Sequence, residues 1–254
     1  MRRTSGTLAL SLAASASLGG CVAAVVPLVA GGAIARQELR AEGSQAGPER
    51  NSSDSADVEG SVTIADGAYA DFALYALQFT TKADVTETDE AENDVSALLV
   101  DPASLMPERK PCGEMPLAAL IDLDPAGGLM SLDEGGETPD PLLGDHLRQL
   151  READITVVWI SDHGPEAAGR IRSRLVRARF DPFGTDSLIL MRFAGESKQV
   201  RRRRLGESYC LIAIAGDQRA DFDELYDYVL DPGMAEPLEA MLGDGWFFAP
   251  PPFD

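Results

Sequence analysis

The sequence predicts a doubly wound α/β domain built on a parallel sheet, and three observations carry that prediction. Four continuous apolar runs have strand length: PLAALID (Pro116 to Asp122), ITVVWIS (Ile155 to Ser161), SLILMRF (Ser187 to Phe193) and CLIAIAGD (Cys210 to Asp217). Strands covered on both faces read as such uninterrupted runs. Helical candidates separate them, GDHLRQLREA, PEAAGRIRSRLVRARF and ESKQVRRRRLGE, and strands alternating with helices favour this architecture. In such sheets ligands bind beyond the carboxyl ends of the strands. Asp122, Ser161 and Asp217 each stand at such an end.

The chain has 254 residues, 44% of them hydrophobic, enough for one sizeable domain with extensions. A formal charge of −20 argues against nucleic acid, whose phosphates need an excess of Lys and Arg. It favours a multivalent cation as partner. Residues 1–20 read as an export signal, with Arg2 and Arg3 ahead of an apolar run that ends in Leu18-Gly19-Gly20-Cys21. Leu-Gly-Gly-Cys resembles a bacterial lipobox, which implies cleavage and lipidation at Cys21. The other reading is an uncleaved anchor, because apolar character continues to Ala35 and the combined run exceeds the ~18 residues that span a bilayer. Either way the domain lies outside the inner membrane of a bacterial cell, in the periplasm or on the surface.

Residues 21–60 are expected to form the lipid anchor and a flexible tether, since Arg36 to Gly60 is polar, Ser-rich and without aromatic residues. Residues 61–110 are expected to be a helical and acidic extension: AYADFALYALQFTT has an imperfect apolar helical face, and ADVTETDEAENDVS reads as mobile or as a solvated helix. Residues 111–254 form the core.

The first core strand leads into ALIDLDPAGG, where Asp122 and Asp124 stand one residue apart ahead of Pro125 and two glycines. Alone, the pair is an ordinary loop entry, because Asp, Pro and Gly are turn residues. Its companions alter that reading. Asp122-Leu123-Asp124 after the first core strand, Ser161 after the second, Lys198 on a later helix and Gly216-Asp217-Gln218-Arg219-Ala220-Asp221 after the last resemble the four motifs of the haloacid dehalogenase superfamily. GDQRADF and the terminal GWFFAPPPF are similar to its exported acid phosphatase branch, which includes lipid-anchored members. The resemblance runs from about Pro111 to Phe253. It implies a haloacid dehalogenase-like Rossmannoid core and a phosphomonoesterase.

Chemistry supports the same roles. Phosphoryl transfer needs an in-line nucleophile, charge neutralisation and a proton for the leaving oxygen. Asp122 is the candidate nucleophile and Asp124 the general acid and then base. Ser161 and Lys198 are the candidate phosphate ligands. Asp122, the main-chain carbonyl of Asp124, Asp217 and Asp221 make an oxygen-rich set that suits Mg²⁺. Lys198 stands out because Lys82 and Lys110 are the only other lysines. Asp223 reads as a solvated helix start, and Pro165 as the start of a helix whose free N–H groups face the phosphate.

The link between Asp122 and the second strand leaves room for a small flap, Gly127 to Gly144, and no large cap. The arginines at 170, 172, 174, 177 and 179, and those at 201 to 204, are expected mostly on solvated helix faces. Ala126, Asp162 and His163 depart from the family pattern and remove possible orienting or phosphate contacts. They keep open a second function, a catalytically weakened lipoprotein that acts as a ligand-binding or envelope-interaction module. With Cys21 lipidated, Cys112 and Cys210 are the remaining pair for a disulfide in an exported protein. The family's sheet order, with first and fourth core strands adjacent, puts both near the sheet end opposite the site. The lipobox reading makes a direct prediction: Cys21→Ser abolishes acylation, whereas an intact N-terminus on the membrane-bound wild-type chain, read by mass spectrometry, rejects it.

Overall fold

The computed structural model describes residues 64–85, 95–102, 104–133 and 140–253. The expected signal peptide, Cys21 and tether lie outside the described residues, as does most of the acidic stretch after the first helix. Among the described residues no helix is long and apolar enough to cross a membrane.

The domain is α/β with a five-stranded parallel sheet. Its strands are β3 (Leu117–Asp122), β4 (Thr156–Ile160), β5 (Ser187–Ile189), β6 (Cys210–Gly216) and β7 (Trp246–Phe248), preceded in the chain by β1 (Val95–Leu99) and β2 (Arg109–Pro111). The sheet order is β5-β4-β3-β6-β7, so the strand bearing the paired acids is central. Side chains of β3 alternate between two cores, as the two-residue period of a strand requires. Ala119 and Ile121 face the cluster formed with helices α1 (Ala70–Val85), α2 (Leu143–Glu152) and α3 (Ala168–Arg177). Ala118 and Leu120 face the opposite cluster, built with β1, Leu205 of helix α4 (Lys198–Leu205), and Leu238 and Met241 of a 3₁₀ segment. Layers on both faces explain why the strands carry no polar alternation.

Register brings the strand ends level. Asp122 lies opposite Ile160, and Ile121 opposite Ala215, so Ser161 and Asp217 emerge beside Asp122 at one edge of the sheet. A register shift against β6 at Ala118 and Ala119 lets the longer strand keep step with β3.

Several elements differ from expectation. The run Ser187 to Phe193 is a strand only to Ile189, because β5 is an edge strand with β4 as its one neighbour and beyond it the chain turns away to bond His163. The N-terminal extension holds more than a helix. β1 and β2 pair antiparallel, and Ser96 Oγ donates to the Leu211 carbonyl of β6 at 2.9 Å, fastening them to the core. Trp246 begins the fifth strand, stacks on Phe222 at 5.5 Å and donates its indole N–H to the Ala97 carbonyl. Pro165 opens only a three-residue 3₁₀ turn, Pro165–Ala167, ahead of α3.

The helix arginines also divide. Arg170, Arg177 and Arg179 are exposed, but Arg174 is buried with its guanidinium 4.5 Å from the Phe253 ring centre and a hydrogen bond to the Ser131 carbonyl. Arg172 donates to the carbonyls of Gly184 and Asp186. The solvated-face expectation fails there because irregular chain around α3 exposes carbonyls that an arginine reaches and aliphatic residues do not.

Cys112 and Cys210 are joined by a disulfide. Cys210 begins β6 opposite Leu117, at the amino end of β3, so the bond lies at the sheet end away from Asp122. It links positions 98 residues apart, and closing so long a loop removes much entropy from the unfolded chain. Reduction, or Cys112→Ser, should lower unfolding free energy by about 2–5 kcal/mol, seen as a lower urea midpoint. Two alkylatable thiols in the unreduced, denatured domain would contradict the bond.

Candidate active site

Asp122 is the last residue of β3, and Asp124 stands just ahead of the turn closed by Gly128 N–H donating to the Pro125 carbonyl. Gly127 takes a positive φ of 71° there, a conformation that favours glycine. The two acids are tied together, since the Asp124 N–H donates to Asp122 Oδ1 at 2.9 Å. Both side chains are 2% exposed.

Lys198 is the first residue of α4, whose start is capped by Ser197 Oγ accepting from the Val200 N–H. The preceding loop is fixed by buried Glu196, which pairs with Arg192 and Arg204; the Arg192 hydrogen bond holds its carboxyl down at about 2. From this rigid start the Lys198 ammonium reaches three carboxylates. It stands 2.8 and 2.7 Å from the Asp122 oxygens, 3.3 Å from Asp124 Oδ2 and 3.7 Å from Asp221 Oδ1. Burial alone would lower its pKa, but Asp122, Asp124 and Asp221 outweigh that effect and raise it. Burial pushes the Asp122 carboxyl up to about 8; Lys198 opposes the shift, and Asp221 adds to it.

The Asp124 carboxylate sits in a ring of donors. Ser161 Oγ at 2.8 Å and the Met130 N–H at 3.1 Å reach Oδ1, and the Asp162 N–H at 2.6 Å reaches Oδ2, where Lys198 also lies. Hydroxyl, amides and ammonium converging on one anionic group form an oxyanion-binding arrangement. His163 braces it, its N–H donating to Ser161 Oγ and its Nε2 lying 2.9 Å from the Met130 carbonyl. The chain at Met130 is thus held to the site, and the next residue, Ser131, is held by Arg174.

Asp217 and Asp221 occupy the loop after β6. Asp221 Oδ2 accepts from the N–H groups of Asp217 and Gln218 at 3.1 Å each. Gly216 permits this close fold-back: a Cβ there would stand 2.5 Å from Asp221 Cβ. The Ala126 N–H donates to Asp217 Oδ2 at 2.7 Å, so residue 126 contacts the loop after β6 through its backbone, whatever its side chain. Burial and Asp221 together raise the Asp217 pKa.

Asp217 Oδ1 is buried without a hydrogen-bond partner, and Asp122 Oδ2 has only its ion pair with Lys198. Among the described residues no group of three or more His, Cys, Asp and Glu side chains could hold a metal ion. Asp217 thus keeps one uncommitted oxygen and Asp122 one held only by Lys198, a pair that fits Mg²⁺, an ion that commonly takes one or two protein carboxylates and keeps its remaining ligands as water or substrate oxygen. Asp221, engaged with backbone N–H groups, shapes the loop in this arrangement.

Asp122, Asp124, Ser161, Lys198 and Asp221 thus converge, with Asp217 held at their rim. Sequence reasoning missed Arg201 and Arg202, both of them buried, and placed Asp223 in solvent, although it is 2% exposed. Asp223 accepts from the Leu225 N–H and Gln199 Nε2, and burial raises its pKa. The usable signal was phase: 201 and 202 precede the buried Leu205 by four and three residues, on its helix face. A cleft of about 340 Å³ opens beside Lys198, lined also by Asp162, Gln218, Asp221, Glu224 and Tyr228.

Removing the shared cation should be costly. Lys198→Met leaves buried carboxylates facing one another and should lower unfolding free energy by about 3–5 kcal/mol at neutral pH. Adding Asp122→Asn should restore part of that loss, and simple additivity in a double-mutant cycle would show that the ion pair is not the cause.

The chain is similar to two solved structures of the Class C acid phosphatase from Bacillus anthracis. One shares 16% identity with a TM-score of 0.45, over 71% of this chain and 77% of that one. The other, with tungstate bound, shares 14% identity with a TM-score of 0.40, over 71% and 78%. No family model matches the chain, and no curated protein does.

Proposed function

We propose that this domain is a phosphomonoesterase of the haloacid dehalogenase type that works through an aspartyl-phosphate. One observation carries the reading: two adjacent strand-end carboxylates share a buried lysine within a ring of oxyanion donors. Ser161 Oγ and the Asp162 N–H, which here donate to Asp124, are together with Lys198 Nζ the donors that a phosphoryl group would take in place of the Asp124 carboxylate.

Asp122 attacks phosphorus with a carboxylate oxygen while the bond to the leaving oxygen breaks, and Asp124 supplies that oxygen with a proton. Asp124 then takes a proton from water as the water oxygen attacks phosphorus, which releases inorganic phosphate and regenerates Asp122. Lys198 balances the negative charge that the phosphoryl group brings in. Asp122, Asp217 and the Asp124 carbonyl are the groups that would hold Mg²⁺, which when bound supplies electrostatic neutralisation of the phosphoryl oxygens. The lipobox-like sequence at Cys21 supports an envelope-anchored enzyme, with small phosphate esters as substrates.

The test is turnover of a phosphate-ester panel by the full chain, with and without Mg²⁺. Asp122→Asn should abolish turnover and phosphoenzyme formation. Asp124→Asn should lose roughly 10²–10⁴ in rate, more for esters with poor leaving groups. Comparable residual activity in both variants on one substrate would reject the nucleophile, and no hydrolysis by wild type would favour a binding module.

A further inference from the structure

We infer that Arg201 is a positioning residue: it orients and polarises the Ser161–Asp162 peptide and masks the charge of Asp162, giving the oxyanion site its affinity. The inference rests on the phosphatase reading and adds to it a residue outside the four motifs. Arg201 lies one helical turn after Lys198 on α4, and its side chain is 1% exposed. Its NH1 donates to the Ser161 carbonyl at 2.6 Å, and its NH2 pairs with Asp162 Oδ1.

The Ser161 carbonyl and the Asp162 N–H belong to one peptide group. A trans peptide is planar and points these two groups in opposite directions, so fixing one aims the other. The guanidinium grips the carbonyl end, and the N–H end reaches Asp124 Oδ2 at 2.6 Å. A cation on the carbonyl oxygen also draws electron density away from the N–H and makes it a stronger donor. One turn of helix therefore sets both charges of the site: Lys198 acts directly, and Arg201 acts through a peptide.

The contact with Asp162 has a second consequence. Asp162 lines the cleft beside Lys198 with its side chain 41% exposed, and an unpaired carboxylate there would repel an incoming phosphate. The guanidinium bridges both groups through its planar fork, which a lysine ammonium cannot reproduce.

The experiment measures inhibition by inorganic phosphate during hydrolysis of an aryl phosphate by the full chain, and phosphate binding by calorimetry. Arg201→Met should raise the phosphate inhibition constant and KM by about 10–100-fold, the scale of losing a charge-assisted hydrogen bond. Arg201→Lys should fall between wild type and Arg201→Met. Asp162→Asn in the Arg201→Met background should recover part of the affinity, and no recovery would remove the charge-masking role. A purely structural role predicts a lower melting temperature and active fraction with an unchanged inhibition constant, which would overturn the inference. If Arg201→Met does not fold, Arg201→Lys decides by the same criterion. A wild-type chain that neither hydrolyses esters nor binds phosphate overturns the phosphatase reading and this inference with it. Wild-type affinity in the Arg201 variants overturns this inference alone.

Discussion

A single ammonium, that of Lys198, makes it possible for Asp122, Asp124 and Asp221 to lie together in the interior. Removing one carboxylate from water is costly, and gathering three multiplies the cost through mutual repulsion. Lys198 stands within 3.7 Å of all three and opposes both effects. Its position depends in turn on the start of α4, fixed by the Ser197 cap and by Glu196 between two arginines. The loop ahead of the helix is therefore part of the site's construction, although none of its side chains reaches the ring of donors around Asp124.

The scaffold contributes registration. Parallel strands paired in step bring Asp122, Ser161 and Asp217 out at one edge, where backbone amides of the following loops remain free to donate. Seven of those amides are used in the site: Asp124 to Asp122, Met130 and Asp162 to Asp124, Ala126 to Asp217, Asp217 and Gln218 to Asp221, and His163 to Ser161. Much of the geometry is therefore carried by backbone and is insensitive to side-chain identity, which explains how Ala126 keeps a contact to the last loop. The disulfide closes the opposite sheet end, where it ties the segment ahead of β3 to the start of β6, away from the loops that carry chemistry.

The charge pattern also takes a different form in three dimensions. Arginines that resemble a solvated stripe along the chain divide into surface groups and buried clamps. Arg174, Arg201 and Arg202 are each less than 9% exposed. Arg174 holds the Ser131 carbonyl, and Arg201 grips the strand-end loop after β4. Arg202 donates to Gln199 Oε1 at 2.6 Å and lies among Asp122, Asp223 and Glu224, so a second cation stands behind the acidic centre.

The sequence by itself determined the four core strands, the helices between them and the carboxylates at the strand ends. These are local properties, a run of apolar residues or an Asp after a strand, and they need no knowledge of distant partners. Asp122 and Ser161 were legible because strand ends in an open α/β sheet face one cleft, whereas Asp124 and Lys198 were placed by their resemblance to a family's motifs. Tertiary structure alone decided the rest. β2 and β7, of three residues each, are too short to announce themselves, and β1, as long as β4, directly follows an acidic stretch; Ser96 and Trp246 bond β1 and β7 to chain far away in sequence. Arg201 was hidden among like-charged neighbours, because local pattern says which face of a helix a residue occupies but not which carbonyl awaits it there. Whether an arginine is solvated or clamps a peptide is settled only by where the Ser161 carbonyl lies, and the fold alone fixes that.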